Sequence, residues 1–250
     1  MSNWQNSILT GDCVERLNDL PKSSVHMCMT SPPYFGLRDY GVDGQIGLED
    51  SLDEYISELV AVGDALRRVL RDDGSWWLNL GDSYAGSGNG AWDNPSEDVK
   101  ESYVPGTDDL PDGGSEFGRK NKMLVPHRVA IALQGAGWIV RNDVTWHKPN
   151  PMPSSVKDRL NTTTEQIFHL TPVPDYWYDL DAIREPYAES YEHRAKQGYK
   201  NKHGDASGGW GEGDHNHTAN HHNGGLLDES REFGDTMHPS GKNPGDVFEA

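Results

Sequence analysis

The chain has 250 residues and a mass of 27.8 kDa, which is enough for one large α/β domain. No apolar stretch approaches the length of a membrane span, and the N-terminus lacks the basic-then-apolar pattern of a secretion signal, so we expect a cytoplasmic protein. The two cysteines, Cys13 and Cys28, lack metal-ligand spacing and predict reduced thiols and no metal site. The formal net charge of −18 argues against a generally basic surface.

Strand and helix patterns alternate along the chain, and this alternation predicts an α/β fold with a doubly wound sheet. Apolar runs predict the strands, and apolar residues at helical spacing predict the helices. Gly74 is suited to a left-handed cap that ends the second helix. In chain order the predicted elements are strand Ser7–Leu9, helix Cys13–Leu20, strand Val25–Thr30, helix Leu52–Leu70, strand Ser75–Leu80, helix Val125–Gly135, and strands Trp138–His147 and Gln166–Thr171.

Two regions break the alternation. Residues Ala85–Asn121 are rich in Gly, Ser, Asp and Pro and predict a long loop. Residues Ala188–Asn243 are rich in Gly, His, Asn and Asp, and the histidines of His215–His222 have no helical framework or nearby cysteine, so we expect a solvated loop and not a metal site. These composition changes divide the chain into a core of residues 1–187, an inserted region of residues 188–243, and a short C-terminal segment of residues 244–250.

The most informative motif follows the strand Val25–Thr30 and reads Ser31-Pro32-Pro33-Tyr34. Two prolines end the strand, leave their carbonyls free and place the tyrosine at the strand's C-terminal end, where ligands bind in open α/β sheets. The Ser31 hydroxyl and the Pro32 carbonyl can accept hydrogen bonds from the two protons of an exocyclic amino group. The Tyr34 ring offers a face on which a flipped base can stack. The simpler alternative is a diproline loop that only ends a strand.

Three separated motifs resemble those of the amino-methylating DNA methyltransferases. They are Thr30–Gly47 (TSPPYFGLRDYGVDGQIG), Leu78–Tyr84 (LNLGDSY) and Trp146–Arg159 (WHKPNPMPSSVKDR), in the order of the permuted beta group. The resemblance implies a Rossmann-like catalytic fold, S-adenosylmethionine as cofactor, double-stranded DNA as substrate, and Ser31, Pro32, Pro33 and Tyr34 as catalytic residues.

The resemblance also bears on the base and the biological setting. Serine at the first motif position is typical of cytosine-N4 enzymes, so Ser31 favours that base, with adenine-N6 as the alternative. The implied setting is restriction–modification or an orphan or viral enzyme. Relatives that act on RNA or on protein glutamine remain a less favoured class, because they usually place the cofactor motif first.

Several other polar residues each allow two interpretations. Asp12 could hold the adenine end of the cofactor or cap a helix, and Asp82 could line the pocket or cap its loop. Lys148 and Asn150 could contact a flipped base or a phosphate, or merely flank a strand end. Arg38 could order the loop after the catalytic motif or lie at the surface.

In the resembled family, the region Ala188–Asn243 corresponds to an inserted target-recognition region. Its start interleaves aromatic and basic residues, a composition that suits DNA contact, although a polar linker is nearly as well supported. These residues are Tyr187, Tyr191, Arg194, Lys196, Tyr199, Lys200 and Lys202.

The glycine turn by which the family holds its cofactor, Asp-Pro-Phe-x-Gly-x-Gly, is not found in this sequence, and residues 244–250 resemble the lead-in to it. In the resembled fold, two further strands lie between Ser7–Leu9 and Val25–Thr30. We therefore expect an incomplete sheet. The chain would be either a truncated gene product or part of a split enzyme completed by a second polypeptide, with a non-catalytic DNA-binding remnant as the alternative from another class.

The charge of −18 and the pI near 4.8 are unusual for a protein that binds DNA. A host with molar internal salt is the favoured explanation, because an acidic surface keeps a protein hydrated in such a medium. A locally basic face on an otherwise acidic protein is the alternative.

Overall fold

The computed structural model describes residues 4–85, 117–118, 120–189, 238 and 240–249. The chain forms two compact units. The first unit contains Met1–Tyr178 together with Asp246–Ala250, and the second contains Asp179–Gly245. The first unit therefore ends at Tyr178, before the boundary predicted after residue 187, and it includes most of the predicted C-terminal segment.

The first unit contains a five-stranded mixed sheet. Its strands are β1 (Val25–Thr30), β2 (Leu70–Leu80), β3 (Ile139–His147), β4 (Thr164–Thr171) and β5 (Val247–Glu249). The strand order is β1-β2-β4-β3-β5. β1 pairs with β2 and β3 with β5 in parallel, whereas β4 runs antiparallel to both of its neighbours.

Three helices belong to the same unit: α1 (Cys13–Asp19), α2 (Leu52–Val69) and α3 (Val125–Gly135). Helix α1 begins at Asp12, whose carboxylate accepts a hydrogen bond from the Glu15 amide. Helix α2 begins with a capping box formed by Ser51 and Glu54. α2 contacts α1, α3 and β2, so the three helices form one layer.

One hydrophobic core joins this helical layer to one face of the sheet. Alternate residues of β2 point into it because side chains on a strand alternate between faces. The α/β fold class predicted from the sequence is confirmed. The largest fully buried members of the core are Trp76, Leu78, Leu80, Phe168 and Leu170 from the sheet, with Tyr55, Leu59, Leu66, Leu133 and Trp138 from the helical side.

The opposite face of the sheet is open at strand β1. β1 lies at the edge of the sheet, and its Met27 and Met29 side chains are 54% and 70% exposed. Helices α1, α2 and α3 contribute to the core on the other face. Exposed apolar side chains on a sheet face with an unpaired edge are typical of a surface that packs against further structure.

Two local predictions were wrong. Residues 7–9 form no strand and pair with none of the five described strands, and the Ile8 side chain is 92% exposed. Gly74 does not cap α2, because the helix ends at Val69 and β2 begins at Leu70. A Cβ at Gly74 would lie 2.8 Å from the His26 carbonyl oxygen, so glycine permits the close approach of β1 and β2 where their register shifts.

In the second unit, the Arg184 guanidinium donates hydrogen bonds to the Gly241 carbonyl and to the Asn243 side chain. The Tyr187 hydroxyl accepts a hydrogen bond from the His238 amide. The other aromatic and basic residues predicted to face DNA, and the histidines of His215–His222, lie outside the described residues.

Candidate active site

The candidate site lies at the end of the sheet where the parallel strands terminate. β1, β2 and β3 run in the same direction and all terminate at this end, and the antiparallel β4 begins there. The diproline motif Ser31-Pro32-Pro33-Tyr34 after β1 therefore lies beside Asn79 and Gly81 at the end of β2, Lys148 just after β3, and Glu165 at the start of β4.

The diproline motif is tied to helix α2 on one side, and Ser31 at its start is exposed. The Pro33 carbonyl accepts a hydrogen bond of 3.0 Å from the Tyr55 hydroxyl, which ties the turn to helix α2. The Pro32 carbonyl accepts no hydrogen bond within the part of the chain that the structure describes. Ser31 is exposed, and its hydroxyl donates only a long hydrogen bond of 3.3 Å to the Tyr34 hydroxyl. Of the two acceptors predicted for an amino group, Ser31 is exposed and the Pro32 carbonyl has no hydrogen-bond partner among the described residues.

The Tyr34 hydroxyl is held by three hydrogen bonds. It donates to Glu165 Oε2 at 3.0 Å and accepts from Asn79 Nδ2 at 3.1 Å and from Ser31 Oγ at 3.3 Å. A phenol has one donor and two acceptor positions, so its capacity is filled. Burial, reinforced by the Glu165 carboxylate, raises the pKa of Tyr34 to about 12 even though the Ser31 hydrogen bond acts in the opposite direction. The phenol is therefore neutral at physiological pH.

Glu165 is the charged centre of this cluster, and its side chain is only 17% exposed. Its Oε2 accepts from Tyr34 and Asn79, and its Oε1 forms an ion pair with the Lys148 ammonium. Burial by itself raises the pKa of Glu165. Hydrogen bonds from Lys148, Asn79 and Tyr34 outweigh that effect and hold the pKa below its ordinary value. Glu165 is therefore ionised at neutral pH.

Gly81 forms the support beneath the Tyr34 ring. A Cβ at this position would lie 2.5 Å from Tyr34 Cε2 and 2.6 Å from Cδ2. The backbone of Gly81 therefore contacts the ring directly, and any side chain there would displace it. Glycine is required here for close approach.

The structure places the remaining predicted substrate residues differently. Asp82 Oδ1 accepts from the Ser83 and Val125 amides at 2.9 and 3.0 Å, so this carboxylate fixes the start of helix α3. Arg38 is exposed, and its carbonyl accepts a hydrogen bond from the Gln45 side chain. Asn150 is exposed just beyond Lys148. Of this group, only Lys148 joins the cluster around Tyr34.

The described residues do not form a site that fits S-adenosylmethionine. The Asp12 carboxylate is used in capping α1 at an exposed position, which is the structural alternative to cofactor contact. No glycine turn follows a buried strand within the described residues in the manner of a nucleotide-binding loop.

Sequence reasoning missed Asn79 and Glu165 as site residues. Asn79 lies within the second recognised motif, at a strand position that faces away from the core, and this was the available signal. Glu165 lies just before the predicted strand Gln166–Thr171, so nothing in the sequence marked it. The loops beside the site also bring Arg159 over the Tyr84 ring, at 3.9 Å from the ring centroid.

None of the helices in the described part of the chain is long and apolar enough to cross a membrane.

Tyr34 and Ser31 thus lie where β1, β2 and β3 end, with the Pro32 carbonyl between them. Comparison with known proteins identifies the family. A family model described as DNA methylase, covering N6 and N4 enzymes, matches residues 25–249, and the chain belongs to this family. The cofactor of these methylases is S-adenosylmethionine, as the sequence predicts.

Individual relatives agree with this membership. The chain is 43% identical over 179 residues to the type II methyltransferase M.Cfr9I of Citrobacter freundii, and the match covers 72% of this chain and 58% of that protein. It is 44% identical over 182 residues to M.SmaI of Serratia marcescens, and that match covers 72% of this chain and 60% of that protein. The chain thus spans about three fifths of the length of these relatives.

Solved structures show a more distant likeness. The cytosine-N4-specific PvuII DNA methyltransferase gives a TM-score of 0.46 at 16% identity, covering 70% of this chain and 51% of that one. A DNA modification methylase of Thermus thermophilus, solved with S-adenosyl-L-methionine, gives a TM-score of 0.44 at 22% identity, covering 73% and 57%.

Proposed function

We propose that this chain is the catalytic part of a site-specific DNA methyltransferase that methylates the exocyclic N4 amine of cytosine in duplex DNA, with S-adenosylmethionine as methyl donor. The observation that carries the proposal is the exposed Ser31 hydroxyl together with the Pro32 carbonyl, which has no hydrogen-bond partner among the described residues, beside a Tyr34 ring whose hydroxyl is held by hydrogen bonds. Pro33 has the supporting role of holding this turn to helix α2 through its carbonyl.

The pocket acts on the nucleophile. The lone pair of an exocyclic amine is delocalised into the base, which makes the nitrogen a poor nucleophile. Hydrogen bonds from its two protons to Ser31 and Pro32 favour a tetrahedral nitrogen and return the lone pair to it, and stacking on Tyr34 fixes the flipped base. Because the nitrogen loses its proton only after it becomes cationic, the reaction requires no strong general base.

Cytosine is proposed over adenine because of the serine at position 31, and adenine-N6 is the second candidate. The M.Cfr9I and M.SmaI relatives are type II methyltransferases, which favours a role in restriction–modification, with an orphan or viral enzyme as the variant of that setting. Such an enzyme would act in the cytoplasm.

We further propose that a second polypeptide completes the cofactor site. Two observations support this: the described residues form no cofactor cradle, and Met27 and Met29 are exposed beside the unpaired edge of β1. A polypeptide that adds strands at this edge would bury the exposed methionines.

Contact with DNA is proposed at the basic loops around the site. Such a local basic group can coexist with a net charge of −18, and an acidic remainder suits a host with molar internal salt. Arg159, Lys120 and Lys122 are exposed there, and Arg38, Lys148 and Asn150 lie on the loops that follow β1 and β3.

The test uses this chain together with the polypeptide that supplies the cofactor site, which we call the completed enzyme. It is assayed for methylation of duplex DNA, and the DNA is then digested to nucleosides and analysed by mass spectrometry. N4-methylcytosine is the expected product. N6-methyladenine alone would support the second candidate, and no methylation under any salt condition by an enzyme that binds both DNA and cofactor would favour a non-catalytic DNA-binding remnant.

A further inference from the structure

We propose that Glu165 is a positioning residue that, together with Asn79, locks the orientation of the Tyr34 ring for base stacking. The proposal rests on the proposed function of Tyr34. It adds a residue from a distant strand, 131 positions away, to the machinery that would prepare the base.

The first argument is the geometry of the lock. Glu165 Oε2, Asn79 Nδ2 and the Tyr34 hydroxyl form a closed triangle with sides of 3.0, 3.0 and 3.1 Å. A single hydrogen bond allows a phenol to swing about its partner, but two partners that are also bonded to each other define one position. Since the hydroxyl is saturated, it is not available to a substrate, and the ring is the part of Tyr34 that remains to contact one.

The second argument is the charge compensation of Glu165 within the cluster. A carboxylate that is 17% exposed needs compensation, and the Lys148 ammonium supplies it through the other carboxylate oxygen. Each partner of Glu165 approaches from a different strand end, so the carboxylate also ties β2, β3 and the motif after β1 together. A neutral amide at position 165 would keep one acceptor but would face the Lys148 ammonium or the Asn79 amide with a donor.

The third argument is that the ring has a second constraint. The Tyr34 hydroxyl lies on the axis about which the ring rotates, so its hydrogen bonds fix the position of the end of the ring. The Gly81 backbone lies against Cδ2 and Cε2, off that axis, and therefore limits the rotation of the ring. Position and rotation together determine the plane on which a flipped base would stack.

A double-mutant cycle tests this inference. The variants are Glu165→Gln, Tyr34→Phe and their combination, with Glu249→Gln as the matched control. Glu249 is a 78% exposed carboxylate at the end of β5 and is paired with His147. Three strands separate β5 from β1, the strand that Tyr34 follows. In the completed enzyme, we expect Glu165→Gln to lower kcat about 10- to 100-fold with DNA affinity within about twofold, since small misplacements of a positioned group have effects of this size.

The kcat of the double variant is the decisive measurement. If Glu165 acts through the Tyr34 hydroxyl, Glu165→Gln causes no further loss in the Tyr34→Phe background. Multiplied losses would mean that Glu165 acts independently, and an unchanged kcat in Glu165→Gln would mean that it does not act at all; either result overturns the proposal.

A readout on the chain by itself separates this inference from the proposed function. We suggest 3-fluorotyrosine at position 34 and its ¹⁹F resonance. The wild-type signal should be displaced from that of the urea-unfolded chain, and Glu165→Gln should move it toward the unfolded position while Glu249→Gln leaves it unchanged. An unmoved signal in Glu165→Gln would refute the lock even if methylation were observed. A moved signal would support the lock even if the enzyme proved inactive.

Discussion

The hydroxyl of Tyr34 donates a 3.0 Å hydrogen bond to Glu165, a carboxylate at the start of the antiparallel strand β4. This contact joins the diproline motif to a distant part of the sheet. It explains how an aromatic ring on a loop can have a single orientation, which a stacking platform for a flipped base requires.

Ser31→Ala should lower the turnover of the completed enzyme about tenfold to a thousandfold, because one preorganised acceptor for the amine is removed. Cofactor affinity should stay nearly intact. Steady-state methylation assays with tritiated S-adenosylmethionine would measure turnover, and calorimetry would measure the affinity. Ser57→Ala, on the exposed side of α2, is the control and should behave like the wild type. Full activity in Ser31→Ala would refute the assignment of the pocket.

Gly81→Ala should displace the Tyr34 ring and lower turnover about 10- to 100-fold, because the new Cβ would lie 2.5 Å from Cε2. The fold should survive, since Gly81 has no positive φ and only the ring must move. Gly135→Ala is the matched control, because nothing lies within 4 Å of its Cβ position at the end of α3. Circular dichroism would verify folding, and equal activities of the two variants would contradict the prediction.

His169 should make the folded state sensitive to acid. Its ring is buried against Trp77, Tyr176 and Tyr178, and burial, aided by the charge of Arg141, lowers its pKa to about 4. As the pH falls, the unfolded chain therefore binds a proton at His169 near pH 6.5, whereas the folded chain binds it only near pH 4. Between these values the free energy of unfolding decreases as pH falls, by up to about 3 kcal/mol.

Urea unfolding at several pH values would measure this effect. In His169→Phe, which keeps an aromatic ring against Trp77, the loss of stability between about pH 6.5 and pH 4 should be smaller. His26→Gln, at an exposed position, should keep the wild-type dependence. Identical pH profiles for the wild type and His169→Phe would exclude His169 as the source.

This chain by itself should bind S-adenosylmethionine weakly or not at all, because the described residues provide no cofactor cradle. Calorimetry in molar KCl, which suits a chain of charge −18, would test this. Adding a polypeptide that carries the cofactor motif should restore both binding and methylation. Tight binding by the chain without a partner would disprove the proposed division of the enzyme.

If the exposed Arg159 guanidinium contacts a phosphate, Arg159→Ala should weaken DNA binding equally for all sequences. The slope of log affinity against log salt concentration should become shallower by about one, because one fewer counterion is released. Fluorescence anisotropy at several salt concentrations would provide the slope. Arg71→Ala, on the surface at the start of β2, is the matched control and should leave the slope unchanged. An Arg159→Ala slope equal to that of the wild type would remove this residue from the DNA contact.

The sequence by itself determined much of this protein. The predicted bounds of β1 and α3 coincide with those in the structure, because each is marked by local signals: prolines after Thr30 end the strand, and Pro126 begins the helix. The diproline motif could also be recognised from a few consecutive residues, because its prolines end the strand directly before it. The sequence predicts that β2 starts at Ser75, later than its observed start at Leu70, because Gly74 suits a helix cap as well as a close approach between strands.

The lock around Tyr34 was decided only by the tertiary structure. Alternation along a strand shows which residues share a face but not in which direction the strand runs. Because β4 runs antiparallel, its first residues and not its last ones lie where β1, β2 and β3 end, and this brings Glu165 to Tyr34 and Lys148. Gly81 likewise acquires its meaning only from the ring that lies against it. Contacts between strand ends depend on direction and register, and these are set by packing of the whole sheet and not by any local run of residues.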